Sequence, residues 1–167
     1  AIEEDLIEEV GRVHGFRNIE EQHPLRELVP PEENDMLRLQ ERMRDMFQGA
    51  GFREIYSYSF MGADDIAAMG DQKEEYIQLE NPSRPEFSYL RGSLGSGLLK
   101  AASENLKHED AVHLFEVGNV FRNEHQAGYC EHGHIGGIMA DTARSRDPLF
   151  FELKGSLSLF FEHMGVD

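Results

Sequence analysis

The sequence has 167 residues, 40% of them hydrophobic, including 11 Phe and 5 Tyr, so it can build the core of one sizeable domain. Its 16 Lys and Arg residues against 32 Asp and Glu residues give a formal net charge of −16. That balance argues against a surface built for nucleic-acid phosphates, which bind mainly to clustered Lys and Arg. No segment approaches the about 20 apolar residues of a membrane helix, and the single cysteine, Cys130, cannot form an internal disulfide. We therefore expect a cytoplasmic protein without a membrane span.

The N-terminal part of the chain predicts one short helix followed by a connector. Apolar residues recur at helical spacing over residues 3–14, and acidic residues fill the first turns. Residues 16–31 contain three prolines and no clean periodicity, which favours an extended connector. We therefore expect a terminal helix within residues 1–19, a connector over residues 20–32 and the main domain over residues 33–167.

The first half of the main domain predicts helices and short strands. Apolar residues form one stripe over residues 33–49, which predicts a helix. The sequence FREIYSYSF at residues 52–60 is rich in aromatic and β-favouring residues, which predicts a strand. The remaining elements expected here are a helix over 63–69, a strand over 75–79, an extended segment over 88–91 and a helix over 96–107.

The second half predicts strands and a final helix. Two strands are expected over residues 112–117 and 120–122, with Gly118 and Asn119 as the turn between them. Strands separated mainly by irregular segments and flanked by long helices indicate an α+β fold with a largely antiparallel sheet. The remaining elements expected here are a polar loop over 123–132, a returning strand over 134–140 and an amphipathic helix over 150–164.

Three acidic residues of the first helix form a candidate metal site. Asp5, Glu8 and Glu9 stand at positions i, i+3 and i+4, so a helix places their side chains next to one another. Carboxylates in this arrangement suit Mg²⁺, which takes one or two carboxylates plus water. The same acids would also complement the positive end of the helix dipole, and spacing alone favours this structural role.

A cysteine and three histidines form a second, weaker metal candidate. His125, Cys130, His132 and His134 supply the imidazole and thiolate ligands that zinc prefers. Their spacing matches no standard closed zinc site, so a polar, partly exposed loop explains these residues better.

The sequence Phe121-Arg122-Asn123-Glu124 is a candidate phosphate site. An arginine at the end of a strand can hold a phosphate with its planar fork of donors, and Glu124 could orient it or accept from a base or metal. The structural alternative is a surface ion pair at a turn, which contributes little to stability.

Several blocks of the sequence resemble bacterial phenylalanyl-tRNA synthetase beta subunits. The blocks occur in the order found in that family and cover essentially the whole chain. They are EDLIEEVGRVHGFRNI at 4–19, NP at 81–82, FSYLRGSL at 87–94, GLL at 97–99, NL at 105–106, LFEVGNVF at 114–121 and FFELKG at 150–155.

The resemblance implies a class II aminoacyl-tRNA synthetase-like fold, in which helices flank an antiparallel sheet. Residues 1–19 would end the small domain that precedes the synthetase-like module. The helix at 33–49 and the sequence after it resemble the first class II motif, which builds the subunit interface, although Tyr58 stands where that motif has proline. Leu39, Met43 and Met46 would then serve partly as interface. The third motif does not occur before Asp167, so the module is expected to be incomplete at its C-terminus.

The resemblance also implies a role. In this family the alpha subunit is catalytic, and the beta module is a non-catalytic copy that packs on alpha in an assembly of two alpha and two beta chains. The holoenzyme charges tRNA with phenylalanine using ATP, and we expect tRNA to be contacted through the holoenzyme rather than clearly through this segment. A family Mg²⁺ site maps onto Asp5, Glu8 and Glu9, with a further Asp before Ala1. Because Arg122 and Glu124 match the ATP-gripping sequence of active enzymes, an active class II domain is the alternative.

Overall fold

The computed structural model describes residues 2–23, 25, 27–124, 128–144 and 146–165, and for Glu124 and Arg146 it describes the backbone alone. The chain divides into two compact units, Ala1–Glu33 and Asn34–Asp167. Among the described residues, no helix combines the length and the apolar content needed to cross a bilayer.

The first unit is built on one helix, α1, which runs from Glu3 to His14 as the sequence predicts. The Asp5 carboxylate accepts a hydrogen bond from the backbone N–H of Ile2 at 2.9 Å, which satisfies a donor ahead of the first turn. Gly15 ends the helix with a φ of 87°, a conformation that favours glycine. The acids of the first turn are therefore part of what starts this helix.

The second unit contains four helices and five strands among its described residues. In chain order they are α2 (Asp35–Gly49), β1 (Arg53–Glu54), β2 (Phe60–Met61), α3 (Ala63–Met69), β3 (Tyr89–Leu90), α4 (Gly95–Asn105), β4 (Ala111–Glu124), β5 (Gly128–Asp141) and α5 (Arg146–Met164).

The main sheet has the order β1–β4–β5. The long strands β4 and β5 are antiparallel, from Ala111 opposite Asp141 to Glu124 opposite Gly128, whereas the short β1 lies parallel to β4. Strands β2 and β3 form a separate antiparallel pair. The sheet is thus dominated by its antiparallel pair, which confirms the predicted α+β class.

Helices cover both faces of the main sheet, because alternate residues of β4 point to opposite faces and both sets are apolar. One face packs against α4, and the other face packs against α2 and α5. The first cluster contains Leu94, Leu98, Ala102, Val112, Leu114 and Val120. The second contains Phe47, Phe52, Phe115 and Val117, with Leu153 and Phe160 of α5 against them.

The two strands predicted at 112–117 and 120–122 are wrong, because β4 is one continuous strand of 14 residues. Gly118 makes no turn. A Cβ at this position would lie 2.5 Å from the Nη2 atom of Arg91, so glycine leaves room for a buried side chain against the strand. The loop predicted at 123–132 is also wrong in part, because β5 already begins at Gly128.

The strand predictions at 52–60 and 75–79 are wrong over most of their length. In the first segment, only β1 and the start of β2 are strand. The second segment begins in a 3₁₀ turn, Lys73–Glu75, and forms a single bridge between Gln78 and Tyr89. Between β1 and β2 the chain is held by two separate backbone hydrogen bonds, from the N–H of Ile55 to the carbonyl of Phe115 and from the N–H of Arg91 to the carbonyl of Ser59, and by the side chain of Glu116.

Candidate functional site

A cleft of 530 Å³ lies beside the C-terminal end of β4, where the sequence places its candidate phosphate ligand. We call it the Arg122 cleft. Its walls come from the end of β4, the 3₁₀ turn after α3 and the link between β3 and α4. The lining residues are Asp71, Glu74, Glu75, Tyr76, Gly92, Ser93, Arg122 and Asn123.

The charge of the Arg122 cleft is negative, since three carboxylates line it together with one guanidinium. The Tyr76 hydroxyl donates to Asp71 Oδ2 at 2.5 Å. Burial, this hydrogen bond and the charges of Asp71 and Glu75 raise the pKa of Tyr76 to about 12, against the opposing effect of Arg122. A negative potential of this kind opposes the entry of a phosphate group.

Of the predicted pair of Arg122 and Glu124, the structure describes the side chain of Arg122 alone. Arg122 is exposed, and its backbone lies opposite Cys130 in the sheet. The side chain of Glu124 lies outside the described residues. The described part of the cleft therefore offers one arginine to a phosphate.

A buried ion pair lies on the same face of the sheet as Arg122, further from the end of β4. Arg91 and Glu116 are 5% and 2% exposed, and Arg91 Nη1 donates to Glu116 Oε1 at 2.6 Å. Ser57 completes the group, because its hydroxyl donates to Glu116 Oε2 at 2.6 Å and its backbone N–H donates to Oε1 at 3.2 Å. We call Ser57, Arg91 and Glu116 the Glu116 network.

The Glu116 network ties two separate segments of the chain, around Ser57 and around Arg91, to β4. Arg91 Nε donates to the carbonyl of Asn119 at 2.8 Å, and the backbone N–H of Arg91 donates to the carbonyl of Ser59 at 2.9 Å. The N–H of Phe121 donates to the carbonyl of Arg91 at 2.9 Å. Every one of these contacts joins residues far apart in sequence, so the network fixes tertiary structure.

Two glycines give the network its space. Besides Gly118, Gly97 of α4 lies against Ser57, where an added Cβ would be 2.9 Å from Ser57 Cβ and closer still to Oγ. A side chain at either position would displace a group of the network and break its hydrogen bonds.

Sequence reasoning missed the Glu116 network, although both charged residues stand in the blocks quoted for the resemblance. One signal could have revealed it. Glu116 follows Val112 and Leu114 at alternate positions, so a strand places its carboxylate on an apolar, buried face, and a buried carboxylate needs a cationic or donor partner.

Two of the three candidate magnesium ligands of α1 are engaged with the protein. Asp5 caps the helix, and Glu9 forms an exposed ion pair with Arg12 at 2.5 Å. Glu8 is exposed. In the parts of the chain that the structure describes, no three His, Cys, Asp or Glu residues are grouped so that they could hold a metal ion. Binding of Mg²⁺ by Asp5, Glu8 and Glu9 stays a prediction.

The candidate zinc residues are carried by a strand instead of a loop. Cys130, His132 and His134 occupy alternate positions of β5, and His125 lies outside the described residues. Alternate residues of a strand are about 7 Å apart, so they spread along the sheet and do not converge on one ion.

The three predicted interface residues lie on α2 and are all partly buried. Met46 lines an apolar groove of 260 Å³ between α2 and α5, together with Phe47 and Leu159. Met43 and Leu39 lie one and two turns earlier on the same helix. An apolar groove of this kind can accept a partner side chain.

Comparison with known proteins places the chain among synthetase subunits. Residues 19–167 match the family described as phenylalanyl tRNA synthetase beta chain CLM domain. The chain is 33% identical to the phenylalanine–tRNA ligase beta subunit of Solibacter usitatus over 154 residues, which is 92% of this chain and 20% of that protein. It is 34% identical to the Aliivibrio fischeri beta subunit over 172 residues, which is 97% of this chain and 22% of that protein. The chain thus spans about a fifth of the length of these relatives.

Solved structures agree on the fold. The chain resembles two structures of pyrrolysyl-tRNA synthetase from Desulfitobacterium hafniense, with TM-scores of 0.63 and 0.66 at 18% and 19% identity. The matches cover 79% and 78% of this chain and 47% of each synthetase chain. The predicted class II synthetase-like fold is confirmed.

Breaking the Glu116 network from one side should strongly destabilise the fold. In Arg91→Met, Glu116 keeps its charge in a buried site without a cation, so we expect the free energy of unfolding to fall by about 3–5 kcal/mol. The exposed pair of Arg53 and Glu109, 3.1 Å apart, is the control, and Arg53→Met should cost less than about 1 kcal/mol. Urea denaturation measures both, and similar losses for the two variants would contradict the assignment.

Replacing Gly97 with alanine should lower the stability of the protein, although this substitution usually stabilises a helix. Alanine is favoured over glycine inside a helix by about 1 kcal/mol, but Gly97→Ala pushes a methyl group into Ser57 and should lower the melting temperature. Gly155 in α5 is the matched control, because nothing lies within 4 Å of an added Cβ there, and Gly155→Ala should raise the melting temperature. A rise in the melting temperature of both variants would contradict the close contact between Gly97 and Ser57.

Tyr76 should titrate at unusually high pH. Difference absorbance at 295 nm between the wild type and Tyr76→Phe isolates this residue, and we expect a pKa near 12. Because the folded pKa exceeds the ordinary value of about 10, the stability that Tyr76 contributes is complete below pH 10 and is lost as the pH rises towards 12. Asp71→Asn should lower the pKa. A wild-type pKa near 10 would contradict the burial of Tyr76 and its hydrogen bond to Asp71.

Proposed function

The chain belongs to the phenylalanyl tRNA synthetase beta chain CLM domain family, and on that basis we propose that it is a scaffold and assembly module of a phenylalanine–tRNA ligase. In this proposal it packs on the catalytic alpha subunit in an assembly of two alpha and two beta chains. The assembled enzyme joins phenylalanine to tRNA with ATP, and this module supplies contact surface and no reacting group.

The charge of the Arg122 cleft is the observation that supports a non-catalytic role most directly. An ATP-binding site needs several donors or cations around the phosphates, because their negative charge must be neutralised. Here Arg122 faces Asp71, Glu74 and Glu75 across the cleft. A triphosphate beside these carboxylates would be repelled, so the alternative of an active class II domain is not favoured.

The surface proposed to meet the alpha subunit begins with α2. Leu39, Met43 and Met46 lie on this helix, and Met46 borders the apolar groove against α5. Burial of such apolar surface is the main driving force of stable subunit association. Alpha-subunit contact through these three residues is part of the proposal.

ATP and Mg²⁺ enter the proposal as ligands of the assembled enzyme. Binding of Mg²⁺ through Asp5, Glu8 and Glu9 stays a prediction that requires a further ligand, since Asp5 and Glu9 are engaged within α1. The resemblance implies an Asp ahead of Ala1 for this purpose. The net charge of −16 supports the view that tRNA is held mainly by other parts of the enzyme.

Arg122→Ala tests the proposal in the assembled enzyme. We expect the beta chain, as its gene encodes it, to assemble with alpha and charge tRNA within about twofold of the wild-type rate, because no transition-state charge rests on Arg122. A loss of about a hundredfold or more is the size expected for removal of a catalytic donor, and it would contradict the scaffold role.

A second measurement uses the beta chain alone. Without alpha it should give no phenylalanine-dependent exchange of pyrophosphate into ATP, whereas the assembled enzyme, measured in parallel, should give robust exchange. Exchange by the beta chain alone that disappears in Arg122→Ala would establish the active-domain alternative.

A further inference from the structure

We draw no further inference here: the strongest candidate, the open pocket of 250 Å³ at the edge of α3 and α4 that the rings of Tyr58, Phe60 and Phe87 border, carries nothing, because two acidic and two basic side chains balance the charge of its lining and nothing among the described residues shows what covers it.

Discussion

The fold of the main unit depends on one buried carboxylate. Glu116 is 2% exposed in the middle of an otherwise apolar strand face, and its charge is balanced by Arg91 and by two donors of Ser57. Removing a carboxylate from water is costly unless its hydrogen bonds and charge are replaced. The chain must therefore bring Ser57 and Arg91 to this point, and that requirement fixes the path of two segments that have almost no strand structure of their own.

The same constraint explains the positions of two glycines and the charge of the neighbouring Arg122 cleft. Gly97 and Gly118 leave space for the network, because a side chain at Gly97 would collide with Ser57 and one at Gly118 with Arg91. Arg91 is bonded to Glu116 inside the protein. Arg122 is therefore the one cation among the described residues that line the neighbouring cleft. The Glu116 network thus uses a buried arginine to stabilise structure, as the proposed scaffold role expects.

Much of the fold could be predicted from the sequence, because helices such as α1 and α3 follow local periodicity and end at glycines. The resemblance supplied the class II architecture as a whole. The wrong strand predictions around Gly118 and after β1 have one origin. The backbone in both places is determined by tertiary contacts, which no local sequence pattern encodes. The alternation of Val112, Leu114 and Glu116 could have revealed the buried carboxylate, but no local pattern shows that Ser57 and Arg91 meet it. Arg122 was found because it stands at a strand end within a recognisable sequence.

Native-state amide hydrogen exchange tests most directly whether the Glu116 network acts as one unit. The amide hydrogens of Ser57, Arg91 and Phe121 are bonded to Glu116, Ser59 and Arg91. If the network holds these segments together, the three amides should share one opening free energy, within about 1 kcal/mol, at low urea concentrations. An amide of Ser57 that exchanges freely while that of Phe121 stays protected would show that the segment opens by itself, and the central role of Glu116 would be contradicted.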